Sequence, residues 1–230
     1  MTKKIKKFVS KVSLGVLIFI LFNTITYSMI VGNWADCGFG GGGGESKSLT
    51  SFTIRIYIIE GAGYFLNSHS SIQALLNRVE LSELNVIDFN EMREILYKAI
   101  EDMEKAKDSY YNLKQEADKT PYNPVMINFL LNFDYNGFRE EKGLNLTIFE
   151  NVNNYLSRGD IRGIFSNFLA NSESILEQLY TIKEWVDAYK LPKISSLWRL
   201  NQDYVEAQLF GQYTSEIFHE ILSINKSICP

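Results

Sequence analysis

Between Asp88 and Thr120, apolar and small residues recur in alternating steps of four and three: Met92, Leu96, Ala99, Met103, Ala106, Tyr110, Leu113 and Ala117. These steps lay down one stripe along a helix. Lys98, Glu101, Asp102, Lys105 and Asp108 fall off the stripe, so the pattern assigns them to the solvent side. Asp88 with Glu91 has the spacing of a capping box, and Pro121 stops the repeat, since a proline ring cannot continue a helix. The small alanines of the seam allow close approach of a neighbouring helix.

The stretch before it, "LTSFTIRIYIIEGAGYFL", fits two periods. Phe52, Ile54, Ile56 and Ile58 alternate as in a strand, whereas Leu49, Phe52, Ile56, Ile59, Gly63 and Leu66 follow helical steps. A lone strand without a partner is unstable and no second strand pattern exists, so the segment is assigned to a helix, followed by a short helix near Ser70 to Leu84. His69, in the serine-rich "NSHSS", is then expected in a solvated connection.

Beyond Pro124 the pattern shortens. "YNPVMINFLLNF" predicts one helix, "DYNGFREEKGLN" a glycine-marked connection, and "LTIFENVNNYLSRG" a helix closed by Gly159. From Asp160 to about Tyr189, Ile164, Phe168, Ile175, Leu179, Ile182 and Val186 form a further seam. Pro192 opens the last long helix, with Leu197, Leu200, Tyr204, Ala207, Gly211, Phe218 and Ile221 inward. The expected fold is all-α: an antiparallel helical bundle of three to four long helices plus shorter ones, occupying residues 49–230 as one domain.

Residues 1–32 carry a different signal. Lys3, Lys4, Lys6, Lys7 and Lys11 precede an uncharged run from Leu14 to Gly32, with Thr26 and Ser28 where a peptidase could read them. The segment is expected to be an export signal, cleaved between about Ser28 and Ala35, or an uncleaved N-terminal membrane anchor. Residues 33–48 contain five consecutive glycines, Gly40 to Gly44, and are expected to be a flexible tether. A lipid-attachment reading of Cys37 suffers from Asp36 before it and Trp34 at the usual leucine position. A phosphate loop in "GGGGESKS" needs a preceding strand and a glycine where Ser46 stands.

Charge narrows the partners. The chain has 23 basic and 27 acidic residues and net charge −4, but five of the basic ones sit in the leader, so the body carries about −9. No basic stripe is left to neutralise phosphates, which excludes nucleic acid as a partner, and a membrane is met only through the N-terminal segment if that is uncleaved.

Candidate chemistry is sparse. Only His69 and His219 could serve as imidazoles, and no nucleophile elbow, Cys-x-x-Cys or haem-attachment motif occurs, so no cofactor is called for. Glu216 and His219 stand three residues apart, as carboxylate-bridged metal bundles require, and with Glu206 make the candidate metal set, although no second Glu-x-x-His exists. Asn201, Gln208 and Gln212 lie on or beside the last apolar seam and are the candidate ligand-binding residues. Cys37 and Cys229 are the only cysteines, and an oxidising compartment would favour pairing them. Asn145-Leu-Thr147 and Asn225-Lys-Ser227 match glycosylation sequons, which a lysine-rich, bacterial-type leader makes coincidental.

The functional expectation is an exported bacterial envelope protein, periplasmic or extracellular or held by an uncleaved anchor, acting without catalysis as a helical binding or scaffolding module with a protein partner. The alternative is a small-molecule or metal-binding bundle, or an enzyme, built on the last helix.

Overall fold

The computed structural model of this 230-residue chain describes residues 45–81 and 88–224. The leader, Cys37, Cys229 and Asn225 lie outside the described residues. Seven helices and no strand occur among them: α1 Glu45–Leu81, α2 Phe89–Lys119, α3 Pro124–Asn132, α4 Tyr135–Lys142, α5 Leu146–Leu156, α6 Ile161–Asp187 and α7 Ile194–Ile224. The all-α class is therefore as expected. None of these helices is long and apolar enough to cross a membrane.

Five helix starts are written in short polar side chains. Asp88 Oδ1 accepts the backbone N–H groups of Asn90 and Glu91, at 2.9 and 3.2 Å, and so opens α2. Asn123, Asp134, Asn145 and Asp160 cap α3 to α6 in the same way, each taking an N–H that no helical carbonyl can reach. Asn145, noticed only as a sequon, is thus the N-cap of α5. At the other end of α5, Gly159 adopts a left-handed φ of 67°, and a Cβ there would sit 3.0 Å from Ile127, so both conformation and space demand glycine.

The seam of α2 is as the spacing predicts: all eight of its residues are buried. Two departures matter. Asp102, assigned to solvent, is only 2% exposed. It stands three residues after Ala99 and four before Ala106, so it lies on the edge of the same stripe. The "DYNGFREEKGLN" segment, expected as a connection, contains α4, with Tyr135 and Phe138 buried one turn apart and Gly143 as its C-cap.

The larger correction concerns α1. It is one continuous helix through "NSHSS", not two helices around a loop. The serines do not break it because their hydroxyls have acceptors inside the fold: Ser70 and Ser71 donate to the carbonyls of Leu66 and Asn67, and Ser68 donates to Ala99 on α2. Its buried face is also rotated from the expected one. Ile54, Ile58, Ala62, Phe65, Ile72, Leu75, Leu76 and Val79 are buried, while Ile56, Ile59, Gly63 and Leu66 are half-buried. Apolar residues surround this helix, so periodicity alone could not choose the face.

Helix α1 packs most extensively on α2, and α2 in turn on α6. At Gly61 a Cβ would lie 2.5 Å from the Tyr110 ring, so α1 and α2 approach through a position that admits only hydrogen. Helix α7 lies against α1, α5 and α6. A single apolar core runs through all seven helices and contains every seam residue predicted for α6.

Candidate functional site

The densest buried polar cluster sits where α1, α2 and α7 meet. His69 is 5% exposed and lies in a helix, not in a solvated loop, because its ring is enclosed by α7. Its ring stacks on Tyr204 with centroids 4.8 Å apart and planes within 5°. Gln208 Nε2 donates to His69 Nδ1 at 2.8 Å, which leaves Nε2 as the protonated nitrogen; that N–H donates to Asn201 Oδ1 at 2.9 Å. The Gln73 amide lies 3.3 Å from the same Nε2 and can only add to this arrangement by turning its carbonyl oxygen to the ring. The imidazole is neutral, and burial holds its pKa below the ordinary value, with the Asn201 bond working partly against that shift.

One residue earlier, Ser68 donates to the Ala99 carbonyl at 2.7 Å and lies 2.5 Å from the Tyr204 hydroxyl. Since the serine proton is already used, Tyr204 is the donor between the two. Burial pushes the Tyr204 phenol up, and the negative charge of Asp102 adds to it, so Tyr204 stays protonated as a donor. Asp102 itself accepts from Lys98 Nζ at 3.0 Å through Oδ1, while its Oδ2 is buried without a hydrogen-bond partner.

The arrangement joins helices. Both nitrogens of His69 are engaged, so neither offers a lone pair to a metal or a proton to a substrate, and a ring this enclosed has no route for one. Two of the candidate ligand-binding residues, Asn201 and Gln208, do come together, but on His69. Gln212 is exposed and donates to Glu216 at 2.8 Å. The candidate metal set is not assembled: Glu206 is exposed and accepts from Gln202, Glu216 is half-buried with Gln212, and His219 is exposed. Among the described residues, no group of three His, Cys, Asp or Glu side chains could hold a metal ion.

Sequence reasoning missed Ser68, His69 and Asp102 as members of this cluster and placed Tyr204 only as an apolar seam residue. The available signal was positional. Asp102 falls on the edge of the α2 stripe, and Asn201 and Gln208 flank Tyr204 at helical spacing.

A second cluster lies at the surface between α2 and α6. Asp187 accepts from Arg93 Nε at 3.0 Å, from Lys183 Nζ at 2.8 Å and from Tyr97 OH at 3.0 Å. These donors, Lys183 first, hold its carboxyl down at about 2. At the opposite end of the α2–α6 contact, Arg162 caps the end of α2 by donating to the Ala117 and Thr120 carbonyls at 3.1 and 2.9 Å, with its guanidinium over the Tyr122 ring.

The last helix also has an outer face. Trp198 is 52% exposed and Val205 38%, on a flank of α7 beside the buried Leu197, Leu200 and Tyr204. No protein-family model matches this chain, and no curated protein or solved structure matches it significantly.

Proposed function

We propose that the chain is an exported protein of a bacterial envelope that works as a non-catalytic binding or scaffolding module. Its four long helices are read as an antiparallel bundle: α1 and α2, joined by a short segment, make the most extensive contact, and α6 and α7, likewise joined by a short segment, also pack together. Export rests on the basic and apolar pattern of residues 1–32.

The observation that carries the binding reading is the division of labour on α7. Its polar side chains Asn201 and Gln208 are spent on His69, while the adjoining stripe of the same helix presents Trp198 and Val205 to solvent. A helix whose inward polar groups are closed off and whose outward face carries an exposed indole is built to contact another surface. The alternative small-molecule or metal site on this helix is weakened by the dispersal of Glu206, Glu216 and His219.

The test is made in cells. Fractionation and N-terminal sequencing should place the chain in the envelope, with or without its leader. A photoreactive aromatic residue at position 198 should yield a discrete protein adduct there, and the same probe at the exposed, charged-face position Glu150 should not. A cytoplasmic chain, or one giving no adduct at position 198, would overturn the reading.

A further inference from the structure

The outer face of α7 has a repeat of its own. Trp198, Gln202, Val205 and Leu209 follow one another in steps of four, three and four, the spacing that lines up a seam between two helices. Trp198, Gln202 and Val205 are exposed and Leu209 is half-buried. Arg199 and Glu206 are exposed at the same flank of the seam, each one residue after a seam apolar residue. Among the described residues Arg199 makes no ion pair, and Glu206 is bonded only by the Gln202 amide.

From this we infer that α7 pairs with α7 of a second copy of this chain, antiparallel and about a two-fold axis near residue 203. This deepens the scaffolding reading above, and rests on it, by naming the partner of that face.

The argument is self-complementarity. In an antiparallel pair, Trp198 faces Leu209 of the other copy and Gln202 faces its Val205, and both layers are symmetric about one point. About nearly the same point, Arg199 meets Glu206 of the other copy, and the two-fold axis makes this ion pair twice. Such a surface is what an isologous interface requires: a residue i that contacts j must also be contacted by it. The parallel arrangement lacks this match. There the flanking positions opposite Arg199 and Glu206 are Ile194 and Asn201, the second already committed to His69. A contact of about three turns is small, so the dimer is expected to be weak and concentration-dependent, with dissociation on the order of ten micromolar.

The test is sedimentation velocity of the full-length chain across a concentration series, in reductant so that Cys37 and Cys229 cannot cross-link copies. The chain should pass from monomer to dimer. Trp198→Ala should weaken association at least about tenfold while leaving the helical circular dichroism unchanged. Arg199→Glu alone and Glu206→Arg alone should each be monomeric at concentrations where the parent is dimeric. An equimolar mixture of those two variants should dimerise again, because both ion pairs are then restored, one with its sign reversed and one as in the parent.

A chain that stays monomeric throughout would overturn the self-pairing and leave the binding reading to the crosslinking at position 198. Dimerisation insensitive to these substitutions would place the contact elsewhere and also overturn it. Failure of the mixture to re-form a dimer would overturn the antiparallel register.

Discussion

The His69 network and the Asp187 cluster each tie one long helix to another, the first α1 to α7 and the second α2 to α6, with opposite chemistry. Around His69 the bonds run between neutral groups, an imidazole, two amides, a phenol and a serine, with the imidazole, phenol and serine buried and the amides half-buried. Around Asp187 they run between full charges at the surface. The difference follows from desolvation. A buried polar group must find its partners inside the fold or lose its hydration without return, whereas exposed charges keep water as a substitute partner. The inner network should therefore dominate stability although its bonds are individually weaker.

The sharpest way to break the comparison is Tyr204→Ala. This removes a fully buried ring that stacks on His69 and meets Phe65 edge-on, so it should cost about 3–5 kcal/mol by urea unfolding. A loss no larger than that of a surface substitution would mean that the network does not anchor α7.

Next in size is His69→Phe, which keeps an aromatic ring against Tyr204 and leaves the Asn201 and Gln208 amides without their partner. The expected cost is about 1–3 kcal/mol. Adding Asn201→Leu and Gln208→Leu to that variant should recover part of the loss, because the orphaned amides are then gone.

A smaller effect is carried by pH. The folded-state pKa of His69 lies below its unfolded value near 6.5, so the unfolded chain takes the proton first as pH falls. The parent should lose stability as pH drops through 6.5, and His69→Phe should lack that component. Parallel denaturation series from pH 8 to pH 5 would show it as a narrowing gap between the two proteins.

The smallest change is expected from Asp187→Asn, a shift in Tm of no more than about 2 °C at neutral pH that shrinks further in high salt. Here too the sign is set by a depressed pKa. The contribution of the Asp187 carboxylate is present above the ordinary value of 3.8 and is lost as pH falls through about 2, where parent and variant should converge. A larger effect from Asp187→Asn than from His69→Phe would reverse the ranking of the two clusters.

How far each cluster could be foreseen depends on the clarity of the stripe it sits on. Helix α2 has one apolar face and a charged one, so its seam could be listed residue by residue from spacing alone, and only Asp102, at the border of the two faces, was misplaced. Helix α1 is apolar on several sides, and its serine run suggests a break that the fold does not make. Ser70 and Ser71 are satisfied within α1, but the acceptor of Ser68 is the Ala99 carbonyl of α2, which no local pattern contains. The same limit applies to Asn201 and Gln208. Their position beside the α7 seam is a local fact, but their partner lies on α1, more than 130 residues earlier in the chain.

The sequence by itself therefore determined the all-α class, the approximate extent of α2, α6 and α7, the cap at Asp88 and the inward seams of those three helices, because capping and amphipathic periodicity act within a few turns. Tertiary structure alone decided the continuity and burial face of α1, the enclosure of His69 and Asp102, and the dispersal of Glu206, Glu216 and His219. Those depend on which helices approach one another, and a hydrogen bond or a burial across such an approach has no period in the chain to announce it.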